Sequence, residues 1–140
     1  MATSLQYAIP GSVAQTFLAG EALTVGQSVK ISALGTVIAC TAATDVFVGV
    51  VQSDSALSGE PVSIVVQGLC YALCGATAIP YTTPLVTSAT AGTFVPWTAS
   101  GSKRVCAKII GYGSEPGGGS LTTAAGDLRT AIVLGGIVVD

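Results

Sequence analysis

The chain has 140 residues, of which 50% are hydrophobic but only 9% are charged, and it contains no histidine. A chain of this length suits one domain, and no apolar run is long enough to cross a bilayer, so we expect no membrane partner. With five basic residues and a formal net charge of -2, the chain lacks the broad basic face that phosphate contacts need, which argues against nucleic acid as a partner.

The low charge also constrains the surface. Typical globular chains carry about a quarter charged residues, so this surface must consist largely of Ser, Thr, Gly, Gln and small apolar groups. Such a surface favours self-association or docking onto a large partner. The first residues, Met1 to Gln6, show neither region of a secretory signal, and we expect synthesis in the cytoplasm.

Short runs of β-forming residues, separated by Gly, Pro and small polar clusters, predict an all-β fold: a single β-barrel, β-tulip or β-sandwich. We expect an N-terminal arm over residues 1–12 and a β-barrel domain over residues 13–140. The predicted strands are residues 13–19, 28–33, 36–41, 46–52, 61–67, 69–73, 85–88, 93–97, 104–112 and 129–139.

Hydrophobic patterning gives the expected surroundings of three of these strands. Alternation in Val29-Lys30-Ile31 and around Cys106 predicts that charged residues face outward, with Cys106 on the same outward face as Lys108. The segment from Val46 to Val51 is nearly all apolar, which predicts a central strand covered on both faces.

Glycines mark the predicted turns between strands, because glycine supplies the positive φ that tight turns require. The turn signals are Leu34-Gly35, Ser58-Gly59, Ala91-Gly92, Ser100-Gly101 and residues 114–119. The segment from Glu115 to Asp127 has almost nothing to bury and predicts a mobile surface loop or an exposed contact loop.

The two halves of the chain show similar motifs in the same order. The first half contains Val29-Lys30-Ile31, Gly35-Thr36-Val37, Val48-Gly49-Val50 and Val62-Ser63-Ile64-Val65, and the second contains Leu85-Val86-Thr87, Gly92-Thr93-Phe94, Ile110-Gly111-Tyr112 and Ala131-Ile132-Val133-Leu134. A duplicated β-unit would explain the order. Chance similarity among strands rich in Val and Gly is the competing explanation.

The four cysteines, at 40, 70, 74 and 106, have no CxxC spacing and no histidine to complete a mixed zinc site. We therefore expect free structural thiols and no metal. Cys70 and Cys74 would be about 13 Å apart on one strand, too far for a disulfide. This spacing does not exclude a disulfide between Cys40 or Cys106 and a cysteine on another strand.

Catalysis would have to be built from few groups, and we expect no enzyme. Without histidine there is no general base with a pKa near neutral. Asp54 and Glu60 flank one loop, where solvated charges are the ordinary interpretation and an acid/base pair the alternative. Cys70 or Cys74 would lack an activating neighbour as a nucleophile. The glycine cluster at 116–120 lacks the Lys-Ser/Thr of a phosphate loop.

Candidate contact residues lie in the N-terminal arm and near Trp97. The segment from Met1 to Gly11 has no charged side chain and contains Leu5, Tyr7, Ile9 and Pro10. It could add a strand to a neighbouring sheet edge, or it could be a frayed terminus or an ordinary first strand. Trp97 is a contact anchor or a plug in the core.

Several motifs of this chain resemble the small head-decoration, or cement, proteins of tailed phages. The motifs lie at residues 19–23, 25–29, 46–51, 59–64 and 108–112. They follow the order of a Gly-containing turn, a Val-Gly-Val strand and a Pro-Val strand. The four cysteines and the long loop after Tyr112 depart from the simplest members.

The resemblance implies a structural role in the virion. It implies a β-barrel or β-tulip that forms a homotrimer on the outer capsid surface, over junctions between subunits of the major capsid protein. It implies no catalytic residues and no cofactor. The alternatives are a self-assembling fibre, pilus or surface-layer subunit, and an enzyme or carrier that uses the interior of a barrel.

Overall fold

All regular elements in the described part of the chain are β-strands. The computed structural model describes residues 12–75, 84–88, 90–96, 103–111 and 128–139. Within these ranges no helix is long and apolar enough to cross a membrane. The strands are β1 (Val13–Ala19), β2 (Leu23–Thr24), β3 (Ser28–Ala33), β4 (Thr36–Ala39), β5 (Phe47–Val51), β6 (Ser55–Ala56), β7 (Pro61–Leu73), β8 (Pro84–Thr87), β9 (Phe94–Pro96), β10 (Lys103–Gly111) and β11 (Leu128–Val139).

The first five strands of the main sheet close into a barrel, in the order β1-β4-β3-β5-β7. The strand β7 pairs antiparallel with β5 on one side and with β1 on the other. The ring closes where β1 runs parallel to β4, with Leu18 opposite Thr36 and Ala19 opposite Val37. The predictions of an all-β fold and of a compact β-barrel are therefore confirmed.

The interior of this barrel is filled by small and β-branched side chains. Val29, Val37 and Ile64 are fully buried there, and Phe17 and Val66 pack against the cluster from partly buried positions. The strand β5 is covered on both faces from Phe47 to Val51, as predicted, because Val51 belongs to this core while Phe47 and Val50 belong to a second core on its other side. Val46, which the prediction included, precedes the strand and is 63% exposed.

A close approach of β5 to β7 depends on Gly49. A Cβ atom at this position would come within 2.7 Å of Ile64 Cγ2 and even closer to the Val65 carbonyl oxygen. Only glycine lets the two backbones meet at this distance. The Val-Gly-Val motif thus marks the place where β5 packs most closely against its neighbour β7.

The strand β7 is continuous, although the sequence predicts two strands separated at Gly68. Gly68 has a φ of 92° and still pairs with Val133 of β11. Because glycine adopts this backbone conformation without steric cost, the ladder runs through it. The first half of β7 belongs to the barrel, and its second half begins another set of strands.

The second set, β9-β8-β10-β11, has the same order and pairing as β4-β3-β5-β7. The second half of β7 takes the place of β1, because Cys74 forms a parallel bridge to Phe94 as Ala19 does to Val37. Gly20 and Gly75 donate equivalent backbone bonds, each 2.8 Å long, to the carbonyls of Val37 and Phe94. We call β1, β3, β4, β5 and residues 61–67 the first repeat, and residues 69–75 with β8 to β11 the second repeat.

The register of the pairs shows which residues correspond. Val29 lies opposite Ala39 and Gly49, and Leu85 lies opposite Pro96 and Ala107. The predicted duplication is therefore present in the pairing of the strands, and its first two matched motifs are in register.

The last two matched motifs are out of register. Gly49 corresponds to Ala107, not Gly111. Ala131 corresponds to Ile64, because Ile109 lies opposite Ala131 as Val51 lies opposite Ile64. Short motifs rich in Val and other small residues resemble one another, so the comparison of sequences matched motifs that do not occupy equivalent places in the two repeats.

Two predictions of side-chain orientation are wrong. Cys106 is fully buried together with the adjacent Ala107, so it does not share an outward face with Lys108. The pairing of β10 with β11 shifts register between Val105 and Ala107, which breaks the alternation. Ile31 is 54% exposed although it continues the alternation from Val29, because β3 has register shifts against both of its neighbours.

Glycines with a left-handed backbone lie at several of the predicted turns. Gly35, Gly59 and Gly92 have positive φ at three of the predicted turns. The two-residue strands β2 and β6 pair with each other and were not predicted. The segments 1–11, 97–102 and 112–127, with the predicted arm, Trp97 and the loop at 115–127, lie outside the described residues.

Candidate interaction surface

The sequence-based contact residues are not placed by the structure. Leu5, Tyr7, Ile9, Pro10 and Trp97 all lie outside the described residues. The described strands and turns expose a different set of apolar side chains.

Large apolar side chains are exposed in the first repeat and in the turn before β7. Among the described residues they are Val13, Leu18, Ile31, Leu34, Val46 and Leu57, with exposed fractions from 47% to 103%. Two of them, Val13 and Leu18, lie near the two ends of β1. Exposed apolar groups of this size are candidate docking contacts.

The turn between β3 and β4 carries the most exposed of these side chains. Leu34 is 103% exposed at the tip, next to Gly35, whose φ of 75° the tight turn requires. The Leu18 amide donates a 2.8 Å hydrogen bond to the Gly35 carbonyl, which fixes β1 beside the turn. We call Leu18, Ile31, Leu34 and Gly35 the hairpin face.

A shallow groove of about 330 Å³ begins beside the hairpin face and includes Ile31. Its lining residues are Lys30, Ile31, Thr44, Asp45, Val46 and Val48. The ammonium of Lys30 lies 3.0 Å from Asp45 Oδ2, so the two charges of the groove neutralise each other. The groove offers apolar contact area around one ion pair.

Asp45 holds the wall of this groove in place. Its Oδ2 accepts hydrogen bonds from the amides of Thr41, at 2.7 Å, and Ala42, at 3.0 Å, as well as from Lys30. Partial burial acts to raise the pKa of Asp45, but the bond from Thr41 and the bond and charge of Lys30 outweigh it, and the pKa lies below its ordinary value. The carboxylate is thus an organising group for the 41–45 turn.

The strand β1 is exposed to an unusual degree for a barrel strand. Residues 13–16 are all exposed, on both faces of the strand. They pair with β7 on one side, while β4 pairs only with Leu18 and Ala19 on the other. Among the described residues no strand pairs with the outer edge of 13–17, so this edge can accept another strand.

All four cysteines are buried and none is joined in a disulfide, as predicted. Burial raises the pKa of Cys70 to about 12. Burial also raises the pKa of Cys40 to about 11, partly opposed by the side chain of Ser28. A thiol with such a pKa is almost entirely protonated near neutral pH and is a poor nucleophile.

Asp54 and Glu60 each make hydrogen bonds that hold a turn or a strand pair in place. The Glu60 carboxylate accepts a 2.7 Å bond from the Leu57 amide and closes the turn before β7. The backbone carbonyl of Asp54 accepts a bond from Val25 and joins the β2 and β6 strands. Both residues therefore have structural contacts in the segment between β5 and β7.

Sequence reasoning missed the hairpin face. The turn itself was predicted from Leu34-Gly35, but an exposed Leu at a turn tip is common, and nothing in the sequence marked Leu18 and Ile31 as its neighbours. The pairing of Leu18 with Thr36 across a parallel bridge is a long-range contact that only the closed barrel creates.

Comparison with solved structures shows a likeness in fold to a known phage protein. No family model and no curated protein sequence matches the chain. The fold is similar to that of the head fiber gp8.5 N base of bacteriophage phi29, with a TM-score of 0.60 and 16% sequence identity. The likeness covers 91% of this chain and 98% of the other. At this identity the comparison establishes a shared fold that spans nearly all of both chains.

Proposed function

We propose that the protein is a structural component of a phage head, a decoration or cement protein that binds the outer capsid surface and stabilises contacts between subunits of the major capsid protein. The observation that carries this proposal is the fold shared with a phage head fiber base over 91% of the chain. The sequence resemblance to head-decoration proteins points to the same setting by a separate route.

The exposed surface supports a docking role. A protein with 9% charged residues that exposes Leu18, Ile31 and Leu34 in one region has the apolar, weakly charged surface that buried interfaces use. A cement protein stabilises a shell by binding several subunits at once, so that individually weak contacts add through multivalency.

The partners in this proposal are the major capsid protein and further copies of the same chain, as a homotrimer. Nucleic acid and membranes are not partners, and the role needs no catalytic residue and no cofactor. Synthesis takes place in the host cytoplasm, and the final location is the outer surface of the virion.

A head fibre subunit is the second candidate. The related phi29 structure is the base of a head fiber, and the free edge of β1 could pair with a strand of another subunit in such an assembly. In that case the chain would still bind the head, but it would carry a further fibrous part.

A binding experiment tests the proposal directly. Heads of the phage that encodes the chain, prepared without it, are mixed with the purified protein and pelleted. We expect saturable co-sedimentation, with an increase in the temperature at which the heads disrupt. No co-sedimentation at micromolar protein would contradict the proposal, and binding without head stabilisation would favour the fibre base.

A further inference from the structure

The segment between β4 and β5 contacts the second repeat through its backbone. The Thr87 hydroxyl donates to the Ala42 carbonyl, and the Gly92 amide donates to the Cys40 carbonyl at 2.8 Å. The Gly92 carbonyl in turn accepts a 2.8 Å bond from the Ser28 amide. Thr87 is 1% exposed and Cys40 is fully buried, and breaking hydrogen bonds at such positions leaves polar groups unsatisfied. The second repeat is therefore held by the position of the 40–42 backbone.

Asp45 fixes two residues of this backbone. Its Oδ2 accepts hydrogen bonds from the Thr41 amide at 2.7 Å and the Ala42 amide at 3.0 Å, and its own amide donates to the Ala42 carbonyl at 3.2 Å. Within the described ranges, these are the hydrogen bonds that hold Thr41 and Ala42 to the first repeat. The Ala42 carbonyl thus accepts from Asp45 of the first repeat and from Thr87 of the second.

The other segment of the first repeat that contacts the second, residues 26–28, is held differently. The Gly26 carbonyl accepts a 2.9 Å bond from the Leu73 amide of the second repeat. Backbone bonds to β5 fix this segment, because the Gly26 amide donates to the Val51 carbonyl at 3.0 Å and the Val51 amide donates to the Gln27 carbonyl at 2.9 Å. Such backbone bonds do not depend on the charge of a side chain. The 40–42 segment is the part of the contact that a carboxylate controls.

The carboxylate oxygen that holds this segment also faces the groove. Asp45 Oδ2 lies 3.0 Å from the Lys30 ammonium, and the side chains of Lys30 and Asp45 are 26% and 16% exposed. The groove that they line also includes the exposed side chains of Ile31 and Val46. One oxygen atom thus connects a partly exposed ion pair with the buried contact between the repeats.

We propose that Asp45 is a positioning residue for the second repeat. Its carboxylate holds the 40–42 segment where Thr87 and Gly92 bind, so a change in the ion pair of the groove alters the contact between the repeats. Coupling of this kind requires continuous physical contacts, and here they run from Lys30 through the Asp45 carboxylate and Ala42 to Thr87. Removing the carboxylate loosens the second repeat more than the barrel to which Asp45 belongs.

This coupling is a property of the folded chain and does not depend on binding to a head. A partner that enters the groove and displaces Lys30 from Asp45 changes how the second repeat is held. The experiments below use the protein alone, so they can fail or succeed independently of the pelleting of heads.

A double-mutant cycle on the full-length chain tests the coupling. Thr87→Val removes the hydroxyl that donates to Ala42 with little change in side-chain shape, and Asp45→Ala removes the carboxylate. In denaturant unfolding, Thr87→Val should raise the unfolding equilibrium constant by a factor that is at least about twofold smaller in the Asp45→Ala background than in the wild type. An equal factor in both backgrounds would overturn the proposal.

Glu60→Ala is the matched control for this cycle. Glu60 Oε1 accepts a 2.7 Å bond from the Leu57 amide, so this carboxylate also holds a turn. Within the described ranges, no hydrogen bond joins residues 57–60 to the second repeat. We expect Thr87→Val to have the same effect with and without the Glu60 carboxylate. Coupling as large as that with Asp45 would indicate general destabilisation and would contradict a positioning role.

Amide hydrogen exchange in the folded protein gives a second measurement, which needs only the conservative variant Asp45→Asn. The Gly92 amide reports the contact between the repeats, and the Ile64 amide, buried in β7 between β1 and β5, reports the barrel. We expect Gly92 exchange, relative to Ile64 exchange, to be about tenfold or more faster than in the wild type. Lys30→Gln, which removes only the ion pair, should shift this ratio less but in the same direction. An unchanged ratio in Asp45→Asn would refute the positioning role, and an unchanged ratio in Lys30→Gln would refute the link to the groove.

Discussion

Replacing Gly35 and Gly92 by alanine, one at a time, isolates the packing between the two repeats. Both glycines have the same positive φ, 75° and 76°, so the conformational cost of alanine is the same at both positions. They differ in what an added methyl group meets, which is open space at Gly35 and the Gln27 side chain at Gly92.

The expected magnitudes follow from these surroundings. A left-handed conformation costs an alanine about 1–2 kcal/mol relative to glycine, so we expect Gly35→Ala to lower the free energy of unfolding by about 1 kcal/mol. At Gly92 the methyl would lie 2.7 Å from both Cβ and Cγ of Gln27, and overpacking of this kind adds about 1–3 kcal/mol. Moving Gln27 also disturbs the 2.9 Å bond from the Thr24 amide to its side-chain carbonyl.

The assay is denaturant unfolding at dilute protein, monitored by far-ultraviolet circular dichroism, with both variants at equal concentration. We expect Gly92→Ala to be destabilised by about 1–3 kcal/mol more than Gly35→Ala. Equal destabilisation would refute the packing of Gly92 on Gln27, and with it this contact between the two repeats.

Three other predictions address the groove, the thiols and the arm. Asp45→Asn should destabilise the protein by about 1–2 kcal/mol near neutral pH. Because the pKa of Asp45 is lowered from 3.8 on folding, its stabilisation is present above that value and is lost as pH falls through the lower folded pKa. A difference in the free energy of unfolding between variant and wild type that stays constant down to the most acidic pH would contradict this. All four cysteines are buried and not joined in disulfides, so they should react with iodoacetamide only after denaturation without reductant. Intact-mass evidence for fewer than four modified thiols would indicate a disulfide. Deleting residues 1–11 should leave the thermal midpoint nearly unchanged, because β1 begins at Val13, while weakening binding to heads; early unfolding would instead make the segment part of the core.

The fold class and the strand positions could be predicted because they depend on local signals. Strands β1 and β3 have the predicted bounds, and the glycines with positive φ at 35, 59 and 92 mark predicted turns. Alternation and turn chemistry are properties of neighbouring residues, which a single sequence contains.

Features that depend on contacts between distant residues were not predictable in the same way. The predicted break at Gly68 does not occur, because pairing with Val133 keeps β7 continuous. Cys106 is buried because a register shift interrupts the alternation of β10. The hairpin face required the closure of β1 on β4, which no turn signal encodes.

A cryo-electron microscopy reconstruction of heads prepared with and without the protein tests the central claim most directly. We expect additional density outside the shell, on the major capsid protein, into which the five-stranded barrel and the second repeat fit. Identical reconstructions from both preparations, at saturating protein, would contradict the assignment to the head surface.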